Sequence, residues 1–371
     1  MARKGVAVLD FGSSKITVLV GMRSVNHNYT ILSSGQADYA GFMDGEFLEP
    51  NTLKYAIESS VKKAEEGLRD KIKSLFVGVP SEFCKLSETD LEINFGKRTL
   101  ITRKHIDELF TKSQGIKDPS SVIISMSPMY YVLDDGNKTN SCVGSYSTSV
   151  RAHVSLVFVE NKFVHMINSI MHDIGNIECE FVCSTLAEGV YLLDQDERNT
   201  STILIDCGYI STSVSHMVGE GLADLQSFSQ GGGFITADLA EALELTFADA
   251  EQLKRKLILS IQATGIDYYE IYGDDQVFKI PAKDANDIVL GRVDAMVEYI
   301  KDCIANFDNP VEDDAPVYLT GGGLSYLKGI KNYLTKALNR PVTIVKPRAL
   351  QYRNPELSSV ISLLDFALSS N

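Results

Sequence analysis

The sequence predicts an α/β chain of two similar halves closing on a shared cleft, and three glycine turns carry the prediction. Each follows an apolar strand. They are Val6-Ala-Val-Leu-Asp10-Phe-Gly12-Ser13-Ser14-Lys15, then Ile203-Leu-Ile-Asp206-Cys-Gly208 with Ser211 and Thr212 beyond it, and Val317-Tyr-Leu-Thr320-Gly321-Gly322-Gly323. A turn of small residues lets backbone N–H groups close round an anion that a Cβ would hold off. An Asp at a strand end adds a carboxylate for a hard cation held through water. Two Asp-x-Gly turns 196 residues apart (206 minus 10) point to two related halves facing one nucleotide.

Taken in order, residues 5–10 and 15–20 read as a hairpin about the turn 11–14, and Tyr29–Gly35 as a third strand. From Asn51 to Lys71 the apolar Leu53, Ala56, Ile57, Val61, Ala64 and Leu68 recur at helical spacing. Leu75–Val79 is a buried strand stopped by Pro80. This β-β-β-α-β opening is not a Rossmann unit, in which a helix follows the first strand directly. Residues 81–160 change character. Short strands at Leu91–Phe95, Val122–Met126, Tyr130–Leu133 and Arg151–Val159 surround one helix, from its N-cap Thr102 to Gln114, as a small inserted α+β subdomain. Asn161–Ile174 and Ser184–Leu193 read as helices, and the polar run Asp194–Thr200 joins the halves.

The second half repeats the first: a strand from Thr202, the turn, then strands Ser213–Val218 and Leu222–Phe228. Gly231-Gly232-Gly233 opens a helix, a second helix carries Ala250, Leu253 and Leu257, and a long one spans Ala285–Phe307. Beyond the third glycine turn come a helix Leu324–Leu338, a strand Val342–Val345 and a helix Asn354–Leu368 with Pro355 near its first position. The first lobe is therefore 1–80, completed by 161–200 and 346–371. The insert is 81–160, and the second lobe is 201–345 with a subdomain at 233–308.

Composition narrows the function. The 371 residues are 44% hydrophobic and 23% charged, enough to bury a large core. Thirty-five basic against 49 acidic residues leave a net charge of −14, which argues against general nucleic-acid binding and against a surface that seeks anionic lipid. No apolar run approaches the ~18 residues that span a bilayer, and the N-terminus enters a strand with no signal-peptide core. The six cysteines are scattered, with only Cys179 and Cys183 close. C-x₃-C without a second pair is poor zinc spacing, so they read as small buried hydrophobes in a reducing cytoplasm.

Several residues can carry chemistry, each beside a plainer reading. Asp10, Gly12, Ser13, Ser14 and Lys15 form a phosphate cradle, although Asp-x-Gly also suits a simple hairpin turn. Asp206, Gly208 and Ser211 are a weaker partner cradle, because Tyr209 and Ile210 stand where further glycines are usual. Gly231, Gly232 and Gly233 bring a helix N-terminus near a nucleotide or serve as a hinge. Gly321, Gly322 and Gly323 allow close approach by a flat adenine and its ribose. Glu251 and Lys254 are neighbours on one helix face, an ordinary ion pair or a ribose contact. Lys254, Arg255 and Lys256 are the one basic triplet, a solvated helix face or a dock for an acidic peptide.

Together these motifs resemble the phosphate-1, phosphate-2 and adenosine motifs of the actin/Hsp70/sugar-kinase superfamily. Closer features resemble the FtsA family of bacterial cell-division proteins. They are Phe76-Val-Gly-Val79 leading into the insert, Gly231-Gly-Gly-Phe-Ile-Thr236-x-Asp238-Leu239, Ala250-Glu251-x-x-Lys254, Leu319-Thr-Gly-Gly-Gly-Leu324-x-x-Leu-Lys-Gly-Ile330 and Asn354-Pro355-x-x-Ser-Ser-x-Ile361-x-Leu-Leu364. The resemblance covers nearly the whole chain. The pilus protein PilM, similar in its insert, is a close alternative. A small-molecule kinase of the superfamily is a more distant one.

The resemblance implies a two-lobed actin-like, ribonuclease H-like ATPase fold with ATP and Mg²⁺ in the cleft. Asp10 and Asp206 would hold the metal, and Glu251, Lys254 and Gly321 to Leu324 the nucleoside. It implies head-to-tail filaments, other divisome partners, a cytoplasmic place at the inner face of the membrane at the division site, and a tether to FtsZ. The FtsZ C-terminal tail would meet Lys254, Arg255, Lys256 and Arg292 on the subdomain 233–308. No residue receives a catalytic role. Relatives that hydrolyse carry an acidic residue where Cys183-Ser184-Thr185-Leu186-Ala187 puts Ser184, a poor base, so weak or no hydrolysis is expected. The family's C-terminal linker and basic amphipathic helix have no counterpart, since Asp365 is the sole charge after Glu356. Membrane contact is therefore expected through a partner or a removed tail.

Overall fold

The computed structural model describes residues 5–23, 29–111, 118–260, 263–273, 277–349 and 351–370. The chain opens with β1 (Val6–Phe11), β2 (Lys15–Arg23) and β3 (Tyr29–Asp38), an antiparallel meander in which Asp10 faces Thr17. A small hairpin, β4 (Phe42–Met43) and β5 (Glu46–Phe47), then leads to α1 (Pro50–Glu66). That helix ends at Glu66, short of Lys71, where Gly67 caps it. Its apolar stripe lies tight on the sheet because Gly35 has no side chain: a Cβ there would stand 2.0 Å from the Ser60 carbonyl oxygen. β6 (Ser74–Val79) pairs in parallel with β1.

The insert is built from strands much longer than expected: β7 (Cys84–Leu100), β8 (Ser121–Leu133) and β10 (Tyr146–Glu160), with the short β9 (Lys138–Thr139) at the edge. Their order is β7-β10-β8-β9. Polar residues on the solvated face break the apolar runs, so the sequence shows only fragments of each strand. Pro128, inside β8, is accommodated where the register with β10 shifts. α2 (Arg103–Thr111) covers the sheet, and its expected end at Gln114 lies outside the described residues.

The chain returns through α3 (Asn161–Gly175) to β11 (Glu178–Cys183), a strand the sequence reading lacks. Glu178 and Glu180 alternate with apolar residues there, as befits an edge. α4 (Ser184–Leu192) and the one-turn α5 (Gln195–Arg198) follow. α5 forms within the polar run because Asp194 and Glu197 make a reciprocal capping box. Arg198 is buried and donates to the carbonyls of Val190, Leu193 and Gly219 at 2.9, 2.7 and 3.2 Å, and to Glu220 at 2.7 Å. It thus closes the end of α4 against the next lobe.

The second lobe repeats the first. β12 (Thr202–Cys207), β13 (Thr212–Val218) and β14 (Gly221–Phe228) form a meander. Then come α6 (Gly232–Ala242), α7 (Phe247–Lys256), the unanticipated hairpin β15 (Tyr268–Tyr272) and β16 (Val277–Pro281), and α8 (Ala282–Ala305). β17 (Val317–Thr320), α9 (Ile330–Leu338) and β18 (Val342–Ile344) complete it. α9 begins six residues later than expected (330 minus 324), since the stretch after the glycines forms turns. The two large sheets have matching orders, β3-β2-β1-β6-β11 and β14-β13-β12-β17-β18, with the last two strands of each parallel to the first. Strands covered by helices on both faces are apolar over most of their length, as β1 and β12 are until Asp10 and Asp206 at the cleft end. The final helix α10 (Ser358–Ser370), entered through a 3₁₀ turn at Pro355–Leu357, packs back on β1 and α4. Among the described residues no helix is long and apolar enough to cross a membrane.

Candidate functional site

The first strands of both sheets end at one cleft. Asp10 on β1 and Asp206 on β12 both line a cavity of about 440 Å³. Gly12, Ser13, Ser14 and Lys15 line it from the first lobe, and Gly208, Ser211, Gly232, Glu251, Lys254 and Gly321 to Gly323 from the second. Gly231 and Gly233 are not among its lining residues. Leu324 is a correction: its side chain is fully buried in the core of the second lobe, because the chain turns inward after Gly323.

The two turns touch directly. The Ser13 hydroxyl accepts the backbone N–H of Tyr209 at 3.1 Å and of Ile210 at 2.9 Å. Tyr39 OH donates to the Gly12 carbonyl at 2.8 Å and steadies the first turn. The Tyr209 ring stands at the cavity wall, edge-on to Phe247 at 6.4 Å between centroids, and stays 37% exposed. Ile210 faces Gly41 of the opposite lobe. The side chains that replace the usual glycines thus leave the cavity open.

The glycines of the second lobe have a reason in the protein itself. Gly321 has φ +83°, and a Cβ there would stand 2.2 Å from Asp206 Oδ1 and 2.3 Å from the Cys207 carbonyl. At Gly323 it would be 2.4 Å from the Gly208 carbonyl, and at Gly232 2.5 Å from Gly323 Cα. Three turns stack backbone on backbone, tied by Gly323 N–H to Cys207 O at 2.7 Å, Gly232 N–H to Gly208 O at 2.9 Å and Gly233 N–H to Tyr209 O at 2.8 Å. The close approach expected of adenine is, at Gly321 and Gly323, an approach of the chain to itself.

The floor is acidic. Burial pushes the Asp10 carboxyl up to about 6, against the pull of the Ser359 hydroxyl that donates to Oδ1 at 2.6 Å. Burial, and then the charge of Asp10, push Asp206 up to about 7. A third carboxyl, Glu188 on α4, is raised well above its ordinary range by burial, then by Asp206 and Asp10. Its Oε1 has no hydrogen-bond partner. All three are oxygen donors of the kind a hard divalent cation takes. Among the described residues no three His, Cys, Asp or Glu stand close enough to hold a metal ion together.

The basic residues are spent locally. Lys254 is 6% exposed and donates to the Gly232 carbonyl at 2.9 Å, to Thr236 at 2.8 Å and to Glu251 at 2.6 Å. It cannot meet a peptide on the outer surface, which corrects that half of its expected role. Burial opposes ionisation of Glu251, but the hydrogen bonds from Lys254, Thr236 and Arg255 outweigh it and hold its carboxyl low. Arg255 lines the cleft rim. Lys256, at the end of α7, donates to the Glu270 carbonyl on β15, and Arg292 forms a fork on Asp238 at 2.6 and 2.7 Å. The four cations expected to form one dock therefore point to different neighbours.

Sequence reasoning missed Glu188, Ser359, Glu356 and the Tyr209–Phe247 pair, all of which line the cleft. Glu188 was legible in principle. It follows Ser184 by four residues, one turn along the same helix face.

Comparison with known proteins agrees with this architecture. A family model described as "Cell division protein FtsA" matches residues 203–362. The cell division protein FtsA of Staphylococcus epidermidis is 24% identical over 379 residues, covering 97% of this chain and 78% of that protein. FtsA of Streptococcus pneumoniae is 24% identical (99% and 81% covered), and FtsA of Bacillus subtilis 20% (97% and 82% covered). Among solved structures, the PilM–PilN type IV pilus biogenesis complex matches with a TM-score of 0.64 at 15% identity, over 99% of each chain. MreB5 of Spiroplasma citri bound to ADP matches with a TM-score of 0.60 at 10% identity, over 99% and 97%. The fold is actin-like, and the chain is similar to FtsA proteins over nearly its full length.

Proposed function

We propose that this FtsA-like chain is a nucleotide-binding adaptor of bacterial cell division. ATP lies between the two Asp-x-Gly turns, its phosphates toward Gly12 to Lys15 and Gly208 to Ser211. A Mg²⁺ ion is held through water by Asp10 and Asp206. The nucleoside runs along Gly321 to Gly323 beside Glu251 and Lys254. The chain associates head to tail into filaments, joins other divisome proteins at the inner face of the membrane at the division site, and binds the FtsZ C-terminal tail on the subdomain 233–308. Arg292 is the basic contact proposed for that tail: it lines a shallow groove with Asp238, Glu241, Ile288, Gly291 and Ala295, and the tail would have to compete with Asp238 for its guanidinium. Membrane contact runs through a partner or a C-terminal helix.

The observation that supports this reading most is the opposition of Asp10 and Asp206 across a single cavity. Thermal stabilisation by ATP with Mg²⁺ tests it: ligand at about 100 times its Kd adds about 2.7 kcal/mol, and a flat response sinks the nucleotide site. Pelleting with FtsZ filaments tests the partner, with Arg292→Glu expected to weaken recovery. An undiminished yield would remove Arg292 from the dock.

A further inference from the structure

Cys84 and Cys183 are 99 residues apart in sequence (183 minus 84) and meet where the insert joins the first lobe. Val79 ends β6 opposite Cys183, which ends β11. Beyond Pro80 a single 3₁₀ turn, Ser81–Phe83, folds the chain back, so that Cys84 opens β7 with its thiol 3.9 Å from the Val79 carbonyl oxygen. The Cys84 thiol faces the Cys183 sulfur within hydrogen-bond reach, and both side chains pack in the cluster that holds Leu86 and Leu186. Cys183 is also the N-cap of α4, with the backbone N–H groups of Thr185 and Leu186 turned toward its sulfur. The hydrogen bond from Cys84 outweighs burial and, with those N–H groups, holds the Cys183 thiol below its ordinary range. The same bond, together with burial, keeps the proton on Cys84. An easily ionised sulfur at a helix N-terminus beside a protonated thiol is a pair arranged for oxidation. Among the described residues no other cysteine faces a second thiol in this way.

We propose that Cys84 and Cys183 are a redox modification site, which a peroxide converts to a reversible disulfide. The inference does not depend on the nucleotide reading, and for two of the six cysteines it reverses the expectation of small buried hydrophobes. Pro80 and Ser81, which lead to Cys84, and Ser184 and Thr185, which follow Cys183, all line the cleft cavity, so a water-sized oxidant has a route to the pair. The Cys183 sulfur attacks one oxygen of hydrogen peroxide. The O–O bond breaks, and the departing hydroxide takes up the proton that Cys183 released, giving water and a sulfenic acid on Cys183. The Cys84 sulfur then bonds to the Cys183 sulfur, the S–O bond breaks, and the hydroxide leaves with the Cys84 proton as a second water. The two thiols lose two electrons and the peroxide gains them. The new bond ties the root of β7 to the first turn of α4, and so fixes the insert to the floor of the cleft. A disulfide of this kind in a reducing compartment is transient and sensing rather than structural.

The test uses the full chain, fully reduced and freed of reductant. The native protein is treated with hydrogen peroxide, quenched with catalase, then denatured and alkylated with N-ethylmaleimide, and intact mass counts the labels. Six labels before peroxide should fall to four after it (6 minus 2), and dithiothreitol should restore all six. Peptide mapping of the wild type should place the link between Cys84 and Cys183, whatever the variants do. Cys183→Ser should keep its five labels through the same treatment, and Cys84→Ser should stop at a sulfenic acid on Cys183 that dimedone traps. Six labels on the peroxide-treated wild type overturn the inference. So does a link between any other pair, a loss of labels that dithiothreitol does not reverse, or an equal loss of labels in Cys183→Ser.

Discussion

Replacing Asp206 with Asn should stabilise the nucleotide-free protein, and more at pH 8 than at pH 5.5. Folding raises the Asp206 carboxyl from its ordinary 3.8 to about 7. The folded state therefore holds a proton that the unfolded chain has already lost. Below about pH 4 both states are protonated and the carboxyl costs nothing. Its cost to stability grows as pH rises and is complete once pH passes about 7. A shift of about three units corresponds to roughly 4 kcal/mol, of which about 2 kcal/mol accrues between pH 5.5 and 8. The side chain is only half-buried, so water screens part of this, and a gain of about 2 kcal/mol at pH 8 is the working figure. For a chain of this length that is a few degrees in Tm. Thermal melts of wild type and Asp206→Asn across this pH range, without nucleotide or divalent cation, give the answer. The variant should melt higher at pH 8 and show a flatter dependence on pH. Adding Mg²⁺ should narrow the difference by restoring the wild type. A variant that melts at or below the wild type at pH 8, with the same slope, would mean that the acidic floor carries no such strain.

Three further changes probe the scaffold. Arg198→Ala strands three carbonyls and Glu220 at the end of α4, and should cost about 2–4 kcal/mol in denaturant melts, far more than loss of the exposed Lys62–Glu58 pair. Gly321→Ala meets both a positive φ and a 2.2 Å clash with Asp206, so it should cost at least about 2 kcal/mol. Gly136→Ala, also at positive φ but with open space around it, should cost only the backbone part, about 1 kcal/mol.

Much of the architecture was legible because it is written in apolar runs and punctuation. The duplicated meander, α1, α3 and the long α8 follow from period and from glycine turns. What stayed hidden has particular causes. β11 looks polar because alternate positions are glutamates at a sheet edge. Among the described residues β15 and β16 pair with each other alone, and neither the tyrosine-rich β15 nor β16 has an alternating pattern strong enough to stand out. The insert strands were cut short by their solvated faces. At the site, motif reading found the turns but not which side chains turn into the space between them. Lys254 shows the difference: in sequence it belongs to a basic triplet, yet the helix sends it inward to Gly232 and Thr236 while Arg255 and Lys256 diverge. Three adjacent positions on a helix point about 100° apart, so a triplet is never one patch by itself.

The contact between the two turns bears on what a ligand gains on entering. Ser13 Oγ already satisfies the N–H groups of Tyr209 and Ile210, which on the proposed reading face the phosphates. A phosphate there gains the difference between two sets of hydrogen bonds, not the whole of the new set. Ser13→Ala separates the two roles of this hydroxyl. If it acts mainly as the stand-in acceptor, the variant leaves two part-buried donors without their partner in the absence of ligand and costs about 1 kcal/mol in that state. Saturating ATP with Mg²⁺ would then repair the loss, and the thermal shift on binding would exceed that of the wild type. If the hydroxyl acts mainly by donating to phosphate, the variant loses affinity and the shift shrinks. The observed geometry, one oxygen facing two donors across the lobes, favours the first outcome. An equal or smaller shift would show that the clasp does not compete with phosphate.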